Sequence, residues 1–453
     1  MQATKETVQK RPHTALWIIL CVVLLCAVGA ALYFCRWAEK PLTLAEGYVA
    51  AEGLTADITD GEGAVLSQPV RGTKVTYVVE DEDKDHPGLV RLVLGEDSFG
   101  YLAREHLVTD PKDVVATKII YVRTAVNLLD EAGAVPGRLV QKGEALTVTG
   151  WQDMDASGAV GRWQVDGGYI RAEYVAMDEA SAQYDQTAYQ LHAERGDSWG
   201  GGDAAGLDYF PREKASFEGH PMPGEVKALY LNNESIAQAA EYVEVADSCG
   251  INAFVVDIMD GGAIAYPSEV MKQYSPSAYE SAYNTLEVYQ TGIKTLKNAG
   301  YYVIGRITAF NDPHLAEDHP ECVIADQAGD PMQIGGMYWP SVYSRFVWQY
   351  KVELGLEAAR LMGFDEIQFD YIRFPDGTWA FEEGTIDYRN ENDESKAQAV
   401  QRFLMYACDR LHDAEVYVSA DVFGECAEAY VTAYGQYWPA ISNVVDAISA
   451  MPY

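Results

Sequence analysis

Positive charge is what this sequence is short of. Lysine and arginine together number 33 against 68 aspartates and glutamates, a formal net charge of −35. A general affinity for nucleic acid or an anionic membrane surface is therefore disfavoured, and the partner implied is neutral or cationic. Cysteine supplies no framework either. Of seven, Cys21, Cys26 and Cys35 share one apolar stretch, while Cys249, Cys322, Cys408 and Cys426 are scattered. Neither a disulfide scaffold nor zinc-ligand spacing results, although a bridge within the scattered four stays open outside a cell. No nucleophile elbow, phosphate loop or dinucleotide fingerprint occurs. His314 and His319, set around Pro313 and Pro320, make a poor metal constellation and read as surface residues. The sequence thus predicts neither cofactor nor metal.

What is present points to a folded, multidomain chain. Hydrophobic residues make up 48% and aromatics 11% of 453 residues, too apolar for a disordered polyelectrolyte and long enough for two or three cores. Ala15 to Phe34 carries no charge and matches the roughly 20 residues a helix needs to cross a bilayer. It predicts a membrane anchor over 15–35, with a cleaved signal peptide as the alternative. Lys5, Lys10 and Arg11 precede it, placing the tail 1–14 in the cytoplasm and the rest outside, although Arg36 and Lys40 weaken that bias. The expected location is the cell membrane, single-pass.

Between 45 and 177, short runs rich in Val, Thr, Tyr and Leu alternate with turn residues, predicting small all-β modules. In 117–177 the positions of Asn127, Leu128, Gly143, Val148, Trp163, Val165 and Tyr169 resemble those of the bacterial SH3-like domain. That resemblance implies a small barrel that binds cell-wall components or acts as a spacer. Residues 45–110, ending GYLAREHLV much as the other ends GYIRAEYVA, resemble a degenerate copy. The acidic run from Glu80 to Asp85 reads as a solvated loop. Residues 178–224 turn polar and Gly-rich and predict a linker.

From 225 onward apolar runs of strand length alternate with helical stretches, as in a parallel sheet with crossover helices. The runs are 227–231, 252–258, 301–307, 366–372, 416–422 and 445–451, with helices near 235–249, 282–299, 346–362 and 394–413. The predicted fold is α/β: a (β/α)8 TIM-type barrel over 225–453 with six strands present and the last two units missing. An open six-stranded sheet is the alternative. In such a barrel chemistry sits at the C-terminal strand ends. Asp257, Arg306, Asp370 and Asp421 fall there, and alternation puts Glu366, Gln368 and Asp370 on one face of the fourth strand.

The runs FDEIQFDYIRFPDG, YYVIGRITAFNDPHLAEDHPE, CGINAFVVDIMDGGAIAYPSEV and VYVSADVFG resemble a glycoside hydrolase family related to α-amylase-like barrels. The resemblance implies cleavage of an acetal in a polysaccharide, which needs one carboxylic acid to protonate the leaving oxygen and one carboxylate to meet the cationic carbon. It implies Asp370 as nucleophile and Asp421 as acid, although related barrels carry Glu there and Glu425 is a substitute. Asp257 is a third acid or a sugar contact. Arg306, Arg373, Gln368, Trp339 and Asp312 are candidate substrate-binding residues, with Tyr338 and Trp379 as further rings. The competing readings are a structural ion pair of Asp370 with Arg306 or Arg373, a helix cap for Asp312, and plain packing for the aromatics. At the level of the whole protein the alternative is a non-catalytic glycan-binding scaffold of the cell wall. A deacetylase is disfavoured by the missing metal constellation.

Overall fold

The computed structural model describes residues 42–452 apart from 51–54, 80–84, 96–97, 136, 156–157, 185–203, 205 and 429. The expected anchor at 15–35 and tail at 1–14 lie outside these residues, as does most of the acidic run at 80–85. Among the described residues no helix is long and apolar enough to cross a membrane. Contacts divide the chain into two compact units, one built from residues up to Ala116 with Met154–Ala159, the other from Thr117–Asp153 with Val160–Tyr453.

The first unit is a small antiparallel β-module. Strands Leu44–Val49, Lys74–Val78, Leu89–Gly95 and Ser98–Ala103 form its main sheet, and Val49, Ile58, Val90, Leu92 and Leu102 fill its core. Burial alternates residue by residue along Leu89–Gly95 and Ser98–Ala103, so one face of the sheet is the more deeply buried.

In the second unit residues 117–153 and 160–177 are also all-β, around Ile119–Val122, the strand that begins at Ala145, Val160–Val165 and Gly168–Arg171. Leu128, Val148, Trp163 and Val165, picked out from the sequence, are buried there. This module is fixed to the body that follows. Arg171 makes a two-pronged bond to Asp413 at 2.9 and 3.1 Å, Tyr174 donates to Asp409 at 2.8 Å, and Arg345 donates to Asn127 at 2.9 Å.

That body is a sheet with six parallel strands, β1 Ala228–Leu231, β2 Ala253–Asp260, β3 Tyr302–Thr308, β4 Glu366–Asp370, β5 Tyr417–Phe423 and β6 Ala447–Met451, and a short antiparallel strand Ala263–Ile264 paired to the end of β2. Each strand pairs with its sequence neighbours in the order β1 to β6. The order never reverses, so this is a barrel wall and not a doubly wound sheet. β1 and β6 each have one sheet partner among the described residues, so the wall is an open arc. The connecting helices α1 Ala239–Cys249, α2 Leu286–Asn298, α3 Arg345–Met362 and α4 Lys396–His412 pack in succession, since right-handed crossovers deliver them all to one side. Thr285, Ser344 and Ser395 cap the starts of α2, α3 and α4 with their side chains, and Gly250 and Gly363, at φ 70° and 76°, end α1 and α3 in the left-handed region that glycine tolerates. All six strands and four helices fall within a few residues of their sequence-predicted positions.

The segment read as a linker behaves differently in its second part. Ala204, Leu207 and Tyr209 are buried with Ala397, Val431, Tyr437 and Ala440. Ala215, Phe217 and Met222 then pack on Ala253, Tyr302, Ile304 and Tyr417, residues at the N-terminal ends of the strands. Phe217 lies 4.7 Å from the Tyr417 ring, and its backbone N–H donates to the Tyr417 hydroxyl at 3.1 Å. Composition suggested a linker because polar and glycine residues dominate; the few apolar side chains nevertheless seal one end of the arc. Each large side chain so buried contributes about 1.5–3 kcal/mol. A protein trimmed to begin at residue 225 is therefore expected to unfold at least about 4 kcal/mol more easily than one beginning at 178, measured by urea denaturation; equal midpoints would show that the segment adds nothing.

Candidate active site

With the helices on one face of the arc, its other face is lined by alternate residues of each strand. Along β2 to β5 these are not apolar: Asp257, Arg306, Gln368 and Ser419 sit at one level, in register across neighbouring strands, and Asp370 and Asp421 stand one step nearer the C-terminal ends. Asp257, Gln368, Asp370, Ser419 and Asp421 are all buried. A polar set taken out of water must satisfy itself or pay a large desolvation cost.

Arg306 satisfies most of it. Its Nη1 donates to Asp257 at 2.8 Å and to Asp260 at 3.2 Å, its Nη2 to Asp370 at 2.6 Å, and its Nε lies 3.8 Å from Asp421. One guanidinium thus gathers carboxylates from β2, β4 and β5. Burial works against its charge, but Asp370 and Asp257 outweigh that and hold it more firmly protonated than a free arginine. Asp257 is tied further by the Tyr230 hydroxyl, and the other oxygen of Asp370 accepts the Tyr371 backbone N–H at 2.6 Å. Tyr371 reaches it at φ 53°, a strained value for a residue with a side chain, of the kind that clusters at functional sites.

Asp421 is held least. Its Oδ1 is buried without a hydrogen-bond partner among the described residues. Burial first, and the charge of Asp370 second, push its pKa up to about 7, with Ser449 and Arg306 drawing it back only in part. Burial also raises Asp257, against the pull of Tyr230 and Arg306. Below this layer Glu366 accepts from Ser419 and, at 2.9 Å, from Tyr302, and burial lifts it to about 6.

The remaining candidates separate. Gln368 lines the same face. Arg373 does not pair with Asp370; its guanidinium lies 5.0, 4.9 and 4.4 Å from the rings of Trp339, Tyr371 and Phe423. Trp339 is buried, with its indole N–H given to the Ile334 carbonyl at 3.0 Å, so it backs Arg373 and Tyr371 and offers no open ring face. Asp312 is away from the cluster. One oxygen caps the helix Pro313–Asp318 through the Leu315 N–H, and the other binds Lys351 at 2.7 Å, both side chains fully buried. Trp379 is exposed. Glu425 accepts from Tyr430 at 2.8 Å and Tyr434 at 3.1 Å, His314 bonds to the Gly262 carbonyl at 3.1 Å, and His319 to Glu321 at 2.9 Å. Among the described residues no three His, Cys, Asp or Glu side chains are arranged to hold a metal ion. Tyr230, Asp260, Tyr371 and Ser449 join the site unforeseen. Tyr230 was within reach, since alternation along β1 puts it on the inner face. Beside the cluster a cleft of about 460 Å³ runs between Asp260–Gly262, Asn311, Tyr338 and Tyr371.

Residues 228–453 match a family model described as "Putative glycosyl hydrolase domain". No curated protein matches the chain. Among solved structures, a hypothetical protein from Ruminiclostridium thermocellum ATCC 27405 is similar at 32% identity over 43% of this chain and 97% of its own, with a TM-score of 0.37. The PgaB (BpsB) glycoside hydrolase domain from Bordetella bronchiseptica is similar at 13% identity over 50% of this chain and 74% of its own, TM-score 0.36. A β-N-acetylhexosaminidase from Bacteroides fragilis NCTC 9343 is similar at 10% identity over 45% of this chain, TM-score 0.33, and this chain spans only 42% of it.

Replacing Asp312 by Ala strands the fully buried Lys351 charge, which costs about 3–5 kcal/mol. The expected result is a large loss of unfolding free energy in urea with the properties of the remaining folded molecules unchanged. Intact stability would mean that Asp312 is not the counter-ion the protein relies on.

Proposed function

We propose that the protein is a glycoside hydrolase acting on a polysaccharide, with Asp370 and Asp421 as its two working carboxyl groups. The observation that carries this is the unequal pair at the C-terminal ends of β4 and β5. Asp370 has both oxygens engaged as acceptors by Arg306 and Tyr371, whereas Asp421 is buried with one oxygen unpartnered and its pKa near 7. Environments that push two carboxyl groups apart assign the acid and the base. In this reading Asp421 gives its proton to the glycosidic oxygen as the bond to the anomeric carbon breaks. Asp370 supplies the negative charge that the cationic carbon meets, and water then gives its hydroxyl to that carbon and its proton back to Asp421. Asp257, fixed by Tyr230 and Arg306, orients a sugar hydroxyl, and Gln368 offers an amide to the same space. Glu425 is the weaker acid candidate, because two tyrosine hydroxyls already donate to it. The family description of residues 228–453 supports the class of reaction.

The proposal extends to the rest of the chain. The β-modules at 45–110 and 117–177 are SH3-like and meet a cell-wall ligand or serve as spacers. The arc belongs to an amylase-like barrel. The uncharged run from Ala15 to Phe34, with Lys5, Lys10 and Arg11 before it, supports a single-pass anchor in the cell membrane with the bulk of the chain outside.

The test is the release of reducing ends from bacterial cell-wall and capsular polysaccharides as a function of pH. Because Asp421 must carry a proton, turnover is expected to fall as pH rises through about 7. Asp370→Asn should lower turnover by about 10³-fold or more, and Asp421→Asn should remove the alkaline limb along with most of the rate. Glycan binding without release in any sample would favour the scaffold role instead.

A further inference from the structure

We infer that Arg373 is an anion anchor at the mouth of the site and that the glycan bound there carries a carboxylate. The inference takes only the carbohydrate nature of the ligand from the reading above. Arg373 follows the end of β4 by three residues and is 8% exposed. Its one side-chain hydrogen bond among the described residues runs from Nη1 to the Phe374 carbonyl at 3.4 Å, and no carboxylate pairs with it. The other largely buried arginines of the same unit differ. Arg123 and Arg212 face Asp208, Arg306 faces its aspartates, and Arg345 and Arg402 face Glu394, all within 4 Å. A fold that supplies a carboxylate to each of these and withholds it from Arg373 leaves a desolvated cation uncompensated.

The surroundings say what would compensate it. Trp339 and Tyr371 come from the segments after β3 and β4, and Phe423 ends β5, so the guanidinium stands on the C-terminal side, with Asp370 among the charges it feels. The rings stabilise the cation in part. Its Nε and Nη2 have no partner among the described residues, yet neither is among the atoms sealed from solvent. The three ring contacts leave the Nε and Nη2 edge without a partner among the described residues, a planar fork that fits the two oxygens of a carboxylate. The net charge of −35 does not oppose this, because repulsion between solvated charges is screened beyond roughly 8–10 Å, whereas a desolvated contact is not.

The experiment measures binding and bond cleavage by the full chain in detergent. The probes are a uronic acid oligosaccharide, an oligosaccharide whose carboxylate sits on a lactyl ether, and both again with the carboxyl group reduced to the alcohol. At least one acidic probe is expected to bind, with its reduced form at least about 30-fold weaker. Arg373→Gln should bring the acidic probe down to the level of the reduced one, and Arg373→Lys should fall between. If Arg373→Gln does not fold, the Lys variant and the acid-to-reduced ratio of the wild type decide. Which acidic probe binds identifies the source of the carboxylate. Equal binding of acidic and reduced forms, a preference that survives Arg373→Gln, or no binding of either acid overturns the inference. Cleavage of neutral glycans without any carboxylate effect would sink the anchor and keep the glycosidase; carboxylate-dependent binding without cleavage would do the reverse.

Discussion

The site depends on one cation. Arg306 projects from the middle of the arc between β2 and β4, and three strands deliver aspartates to it. Carboxylates this close repel one another and are costly to bury; a guanidinium with five N–H donors in a fixed fork can hold several at once. Each carboxylate in turn constrains the next residue outward: Asp257 holds Tyr230, and Asp370 holds the strained backbone at Tyr371. Burial and the neighbouring charge of Asp370 raise the proton affinity of Asp421, and the guanidinium, 3.8 Å away, draws it back only in part. The asymmetry that the proposed mechanism uses therefore comes from burial together with the uneven way one arginine shares its charge.

The arc around this cation was legible in the sequence to the extent that its physics is local. Near-continuous apolar runs such as NAFVVDI and VYVSADV mark strands buried on both sides, and alternation along EIQFD put Glu366, Gln368 and Asp370 on one face, where they stand. Asp257, Arg306, Asp370 and Asp421 were separated by up to 164 positions, and strand-end placement alone brought them together. What the sequence could not give was non-local. Asp312 pairs with Lys351 across 39 residues and Trp339 folds in under Tyr371; neither pairing leaves a periodic trace. The choice of Arg306 over Arg373 as partner of Asp370 is likewise a matter of which strand each side chain leaves from.

The polar stretch before β1 shows the same limit from another side. Phe217 and Tyr209 are isolated in a segment whose composition is that of a linker, yet they bury against Tyr417 and Ala397. Together with the module at 117–177, whose Arg171 and Tyr174 grip α4, they make the body extend well upstream of the residues that match the family. The site at the C-terminal strand ends is thus supported by packing at the opposite ends of the same strands.

The measurement that bears most directly on this account is the unfolding free energy of Arg306→Met relative to the wild type between pH 4.5 and 8. Without the guanidinium the clustered carboxylates take up protons in the folded state more readily than in the unfolded one, so stability should rise as pH falls. The account predicts a loss of about 3–5 kcal/mol at pH 8 that shrinks clearly by pH 4.5. A loss that does not change with pH, or no loss, would contradict it.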